Sequence, residues 1–438
     1  MFPREHYENY IAILKEELVP AMGCTEPIAI AYASAKAREV LGEEVNHIHV
    51  SCSGNIVKNV KGVIVPNSGG QKGIEAAAIL GAVGGNASRE LEVIADTTDN
   101  ARAKTKKLLS ENICDVSLAE DAPNLYIEIT AEGAEHKSLV RIENFHTNIT
   151  LIKRDNEIIF ENAPEKVKMN ASKESSVNKN LKNIMTLRGI IDFADNLEIP
   201  DVEEIFGRQV EYNTRISQEG LDNKWGACVG KTIIETWGND VRSCACARAA
   251  AGSDARMSGC PLPVVINSGS GNQGITVTLP VVEYAERWRI SRAKMFRALA
   301  VSNLVSVYIK HYIGSLSAFC GAVSAASGAG AAITYMAGGD YASIGRTITN
   351  TLANVGGIVC DGAKPSCAAK IASSVHAAIL AHHMSMNDDE FRGGEGFVED
   401  DVEQTIKNMG YIGKIGMKET DREILNVMID RVDVDSCL

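Results

Sequence analysis

Leu125-Tyr126-Ile127-Glu128-Ile129, Leu139-Val140-Arg141-Ile142 and Ile149-Thr150-Leu151-Ile152 are three short runs in which apolar and polar side chains alternate. A period of two sends successive side chains to opposite faces of an extended chain, so these runs predict antiparallel strands with one buried face. Glu132-Gly133 and Arg154-Asp155-Asn156 supply turns. Upstream, Tyr7, Tyr10, Ile11, Leu14 and Leu18 recur at helical spacing and Pro20 ends that helix. A second helix is expected over 26–40, strands over 45–52 and 60–65 with Gly54-Asn55 between them, and a further helix over 71–81. Downstream, residues 164–180 are polar and lysine-rich without periodicity, and from Leu181 onward the pattern is mostly helical. The expected fold class is therefore α+β. A mixed α/β part with a small antiparallel sheet fills 1–165, a connection follows at 166–180, and a mostly helical domain occupies 181–438.

A chain of 438 residues exceeds what one core usually organises and can bury a sizeable interior without disulfides. Charged residues make up 23% and the formal net charge is -12, with no dense Lys/Arg stripe. That balance argues against a nucleic-acid partner, because neutralising phosphates needs a basic face. A small molecule is the expected partner. The first residues enter a charged amphipathic pattern with no apolar signal core, so a reducing cytoplasmic location is expected. Residues 312–339 carry no charge and are long enough to span a bilayer, yet they are mostly Ala, Gly and Ser. Such residues gain little from hydrocarbon, so a helix buried among other helices is expected there and no membrane contact.

Eleven cysteines in a reducing compartment are read as buried small hydrophobes, metal ligands or catalytic thiols rather than disulfide partners. Cys360-Asp361-Gly362-Ala363-Lys364-Pro365-Ser366-Cys367 places two thiols in a turn that ends in a helix start, with Ser366 a good N-cap. The positive end of that helix and the nearby Lys364 favour thiolates and an anionic group. Cys320, in Ala318-Phe319-Cys320-Gly321-Ala322, is a third thiol beside a glycine that leaves room for a bulky inorganic group. Zinc, an iron–sulfur centre and inert burial all remain open on pattern alone, although neither the close pairs of structural zinc nor the compact runs of ferredoxins are present. Cys244-Ala245-Cys246 reads as packing.

Three motifs carry a resemblance across nearly the whole chain, in the same order. They are Gly23-Cys24-Thr25-Glu26-Pro27, Ser253-Asp254-Ala255-Arg256-Met257 together with Asn267-Ser268-Gly269-Ser270-Gly271-Asn272-Gln273-Gly274, and Cys360-Asp361-Gly362-Ala363-Lys364 with Cys367. In these the sequence resembles the L-cysteine desulfidase family, which is related to the α region of iron–sulfur L-serine dehydratases. The resemblance implies that Cys320, Cys360 and Cys367 ligate a 4Fe-4S cluster with one iron open to substrate, in a serine dehydratase α-like domain, and that no pyridoxal phosphate is used. It implies β-elimination of L-cysteine to pyruvate, ammonia and hydrogen sulfide, with Cys24 as general base or proton shuttle.

The residues add to that reading. Cys24 precedes a helix start, whose N-terminus is expected to lower its thiol pKa, while Glu26 opposes a thiolate if its carboxylate turns toward the sulfur. Arg256 suits a substrate carboxylate, or else a structural ion pair with Asp254. Asn267, Ser268, Ser270, Asn272 and Gln273 offer uncharged polar groups for an amino-acid headgroup, and Lys364 could balance the cluster or bind carboxylate. Cys437, second from the end, is read as a free mobile thiol, while the resemblance to related serine dehydratases, where a C-terminal cysteine reaches the open iron, implies the same tail-in-site arrangement as its alternative. L-serine dehydratase activity on the same cluster, and a non-catalytic iron–sulfur or amino-acid sensor, are the alternative functions. A homodimer is possible.

Overall fold

The computed structural model describes residues 3–162, 181–314 and 317–432. Helix α1 (Arg4–Glu17) turns Tyr7, Tyr10, Ile13 and Leu14 inward, and the chain then enters strand β1 (Pro20–Met22). Helix α2 (Thr25–Leu41) closes at Gly42, whose φ of 78° is the left-handed cap that a glycine adopts without steric cost. Strand β2 (His47–Cys52) alternates as expected, with Ile48, Val50 and Cys52 fully buried. Next come helices α3 (Gly54–Val60), α4 (Gly73–Gly84) and α5 (Asp99–Ser110). Strands β3 (Cys114–Leu118), β4 (Tyr126–Glu132), β5 (Lys137–Glu143), β6 (Ile149–Arg154) and β7 (Glu157–Glu161) complete a six-stranded sheet.

The strand order is β3-β2-β4-β5-β6-β7. Only the β2–β3 pair is parallel, and the three runs quoted above are the antiparallel ladder β4-β5-β6. Helices α2 and α4 pack together against the buried face of this sheet. Their alanines and glycines permit close approach, since a Cβ at Gly81 would lie 2.2 Å from the Ala31 carbonyl oxygen. The strand expected over 60–65 is not formed. Ile56, Val57 and Val60 share one buried face of α3, and the following segment keeps only an isolated bridge between Ile64 and Lys72. Of the four β-branched residues in that run, Val60 is taken up by the buried helix face, which leaves too few for a strand.

The second unit comprises α6 (Leu187–Asp195), α7 (Glu203–Asp222), α8 (Val229–Trp237), α9 (Val241–Met257), a short strand β8 (Pro263–Val265), α10 (Gly271–Arg287), α11 (Arg292–Ile313), α12 (Gly321–Met336), α13 (Tyr341–Val355), α14 (Cys367–Met386), α15 (Val402–Tyr411) and α16 (Lys418–Met428). The uncharged stretch over 312–339 supplies α12, which lies among α10, α11, α13 and α14. A Cβ at Gly328 would sit 2.2 Å from the Ser302 carbonyl oxygen, so a larger residue there would force α11 and α12 apart. Among the described residues no helix is long and apolar enough to cross a membrane. Phe193, Phe206 and Phe296 are fully buried around this bundle, each contributing about 1.5–3 kcal/mol. The molecule is thus α+β, with a mixed sheet unit and a mostly helical remainder.

The spatial division does not follow the expected boundary at 165. Tyr7 and Tyr10 pack on Phe193 of the bundle at ring distances of 5.2 and 5.1 Å, and β1 pairs antiparallel with β8, Ala21 opposite Val264. In return α16 docks on the sheet unit, where Leu425 fills the space beside Gly54 and Asp421 pairs with the buried Lys58. α1 and β1 thus pack on the helical unit, and α16 on the sheet unit.

Candidate functional site

The β1–β8 pair sets the geometry, because it brings the residue just after β1, Cys24, against the end of α9 and the start of α10. Cys24 is the N-cap of α2, Ser270 of α10 and Cys320 of α12, while Cys367 is the first residue of α14. All four residues line one cavity of about 830 Å³ between the two units. A helix N-terminus carries unpaired N–H groups and about half a positive charge, so four of them at one cavity favour anionic contents.

Cys320 and Cys360 are brought together by a backbone crossing. Phe319 bridges Val359, the Cys320 N–H donates to the Ile358 carbonyl (3.1 Å), and the Cys360 N–H donates to the Ala318 carbonyl (2.6 Å). The Cys367 thiol lies 3.6 Å from the Gly362 carbonyl oxygen. Gly362 has a φ of 91°, and a Cβ there would meet the Lys58 carbonyl at 2.1 Å, so only glycine fits this turn. All three cysteines line the same cavity. Burial pushes the Cys320 thiol up to about 12, with Cys360 adding to the effect, and raises Cys367 as well. Thiols so placed ionise only against a strong positive charge, which is what a metal supplies. Among the described residues no three His, Cys, Asp or Glu side chains are close enough to share a single metal ion. A polynuclear cluster makes a different demand, since each cysteine binds its own iron. The soft donor set, the helix ends and the cavity size fit such a cluster.

Cys24 is 3% exposed, and its sulfur touches Met257 Sδ at 4.0 Å. The expected lowering of its pKa by the helix end is not the outcome. Burial pushes the thiol up to about 12, Arg256 opposes this, and Glu26 adds to it. Desolvating a thiolate outweighs half a helix-end charge.

Arg256 is 4% exposed and does not pair with Asp254. Asp254 instead accepts the Gly230 N–H at the start of α8 (3.0 Å), and burial lifts its carboxyl to about 6. Arg256 donates through Nη1 to Asn272 Oδ1 (3.1 Å), and its Nε has no partner among the described residues. A Cβ at Gly271 would come within 2.3 Å of that Nε. Gln273, 6% exposed, has an unpartnered Oε1 and lies where a Cβ on Gly321 would sit. Both glycines therefore exist as room for polar side chains aimed into the cavity. Ser268, Ser270 and Asn272 line it too.

Two expected site residues stand apart. Asn267 is fully buried behind the wall, where its amide donates to Asn303 and its carbonyl accepts from the Ser268 and Ser306 hydroxyls. Lys364 is tied to Asp361 (2.5 Å) and is absent from the cavity lining. Cys437 lies outside the described residues. Cys246 is buried in the bundle core and Cys244 accepts from Arg287 (3.3 Å), as packing residues would.

The cavity also holds groups that the sequence reading did not select. Lys310 lines it from within the apolar α11, and burial lowers its ammonium pKa to about 8 against the raising effect of Cys360 and Cys320. A lysine inside Val307-Tyr308-Ile309-Lys310 was a legible signal. Asn144, Phe145 and His146, in the turn between β5 and β6, line the sheet-side wall with Lys58 and Asn59. Burial holds His146 below the usual imidazole range, with Glu26 opposing. No period or spacing marks that turn.

The serine dehydratase alpha chain family matches residues 88–426. A UPF0597 protein of Desulfitobacterium hafniense is 49% identical over 426 residues, covering 97% of each chain, and one of Lachnoclostridium phytofermentans is 49% identical over 424 residues, 97% of this chain and all of the relative. A UPF0597 protein of Bacteroides fragilis is 39% identical over 427 residues, covering 96% of this chain and 97% of its own. With the match spanning most of its length and the cavity residues of its helical unit, the chain belongs to the serine dehydratase alpha chain family.

Proposed function

We propose that this chain is a lyase acting on a small L-amino acid, with L-cysteine as substrate and a 4Fe-4S cluster held by Cys320, Cys360 and Cys367. The observation that carries the proposal is the sharing of one cavity by those three thiols, Cys24 and a buried, carboxylate-free Arg256. When bound, the cluster supplies a Lewis-acidic iron with an open coordination position. The protein's own residues then bind and orient. Arg256, held by Asn272 and fronted by Gly271, receives the substrate carboxylate, and Gln273, Ser268 and Ser270 supply neutral hydrogen bonds around the headgroup. To act as base Cys24 first gives up its own proton to water, which the neighbouring Arg256 favours against burial; the thiolate then takes the Cα proton, the Cβ–S bond electrons leave with the sulfur as sulfide, and 2-aminoacrylate remains. Its tautomer is hydrolysed by water to pyruvate and ammonia.

L-serine dehydratase activity is the second reading, favoured by the family's own name. Cys24 weighs toward cysteine. The deciding experiment is ammonia and sulfide release from L-cysteine and L-serine by anaerobically reconstituted protein. Turnover of cysteine supports the proposal, whereas turnover of serine alone replaces it with the second reading.

A further inference from the structure

Arg256 is a buried cation without a carboxylate partner among the described residues, and the same cavity contains its complement. Glu26 lies in the first turn of α2, two residues after Cys24, and lines the cavity. Its Oε1 accepts from Asn59 Nδ2 (3.1 Å) and its Oε2 from the Thr25 hydroxyl (3.2 Å). Both donors are neutral, and among the described residues no Lys, Arg or His nitrogen lies within 4.0 Å of this carboxylate. Two opposite charges thus face one cavity, each held by neutral hydrogen bonds and, among the described residues, neither in an ion pair within 4.0 Å. Arg256 is buried and Glu26 half-buried at the cavity wall, and leaving a buried charge unpaired is costly, so a ligand carrying both charges would complete the match.

Cys24 lies between them in the contact sequence. Met257 Sδ is 3.9 Å from Arg256 Nη1 and 4.0 Å from the Cys24 sulfur, while Glu26 follows Cys24 in the same helical turn. An α-amino acid carries its carboxylate, its ammonium and its Cα–H on a single carbon. We infer that Glu26 binds the substrate's α-ammonium opposite Arg256 on the carboxylate, so that the site selects free, zwitterionic α-amino acids and turns Cα–H toward Cys24. The inference rests on the elimination reading above and assigns Glu26 a role in specificity. Asn59 and Thr25 position its carboxylate.

The test uses the anaerobically reconstituted full chain and its Glu26→Gln and Glu26→Asp variants, with L-cysteine as substrate and 3-mercaptopropionate, cysteine without its amino group, as competitive inhibitor. Loss of a charged hydrogen bond predicts a rise of about 10- to 100-fold in the cysteine KM for Glu26→Gln. The 3-mercaptopropionate inhibition constant should stay unchanged, and Glu26→Asp should recover part of the loss. An unmoved cysteine KM, or equal weakening of both ligands, overturns the assignment. Should Glu26→Gln fail to assemble the cluster, the native protein still decides, because N-acetyl-L-cysteine must inhibit far more weakly than L-cysteine binds. Equal affinity would overturn the assignment. A native protein inactive on both L-cysteine and L-serine refutes the elimination reading itself, a result distinct from an active enzyme indifferent to Glu26.

Discussion

The two walls of the cavity are made from opposite materials. The bundle side presents sulfur, neutral amides and hydroxyls at helix N-termini, with Arg256 its unmatched charge, and it is fixed by backbone crossings and glycine contacts. The sheet side presents Glu26, Lys58, Asn59 and His146 from a helix start, a short helix and a turn. Helix ends favour an anionic group through their own dipoles, whereas recognition of a zwitterion needs discrete charges. The difference teaches that the thiols and Arg256 come from one unit while Cys24 and Glu26 come from the other, so that the cavity's chemistry exists only where the two meet.

The comparison breaks most severely on the bundle side. Cys360→Ser is expected to abolish elimination and to reduce iron and labile sulfide together, read by metal analysis and absorption of the anaerobic protein. Retention of a full cluster would remove Cys360 from the ligand set. Arg256→Lys keeps the charge but loses the planar fork, and a fall of about 100-fold in kcat/KM with intact cluster absorption is expected. An unchanged ratio would mean that the carboxylate binds elsewhere.

On the sheet side the expected effect is on stability. Asp421→Asn leaves the buried Lys58 ammonium unpaired and should destabilise the protein by about 3 kcal/mol, seen as a lower Tm. An unaltered Tm would show that α16 is not held by that pair. The smallest effect concerns Asp254, whose carboxyl is lifted to about 6 by burial. A carboxyl raised in the folded state contributes stability below its unfolded pKa near 4 and loses it as pH rises through 6. Asp254→Asn should therefore flatten the stability profile between pH 4 and 6 and gain about 1–2 kcal/mol at pH 7.5. A profile identical to the native one would count against the buried carboxyl as its source.

The turns and helix starts that line the cavity are legible in the sequence. Cys24, Cys320 and Cys367 stand at helix starts marked by local residue types, and the Gly/Ser/Asn run over 267–274 opens α10. Two candidates were misplaced for one reason. Asn267 and Lys364 lie within the right motifs, but a turn directs neighbouring side chains to different sides, and a motif does not say which side faces the cavity. The strand expected over 60–65 failed similarly, because β-branched residues at 56, 57 and 60 serve a helix face as well as a strand.

By itself the sequence determined what depends on neighbours within a few residues: the β4-β5-β6 alternation, the helix starts, the small-residue α12 and the thiols in their glycine turns. Only the tertiary structure decided what depends on residues hundreds of positions apart. The β1–β8 pair carries Cys24 to Arg256, and the burial that follows raises the Cys24 thiol where its helix end alone would lower it. Desolvation is a property of everything packed around a group, and no local pattern contains it.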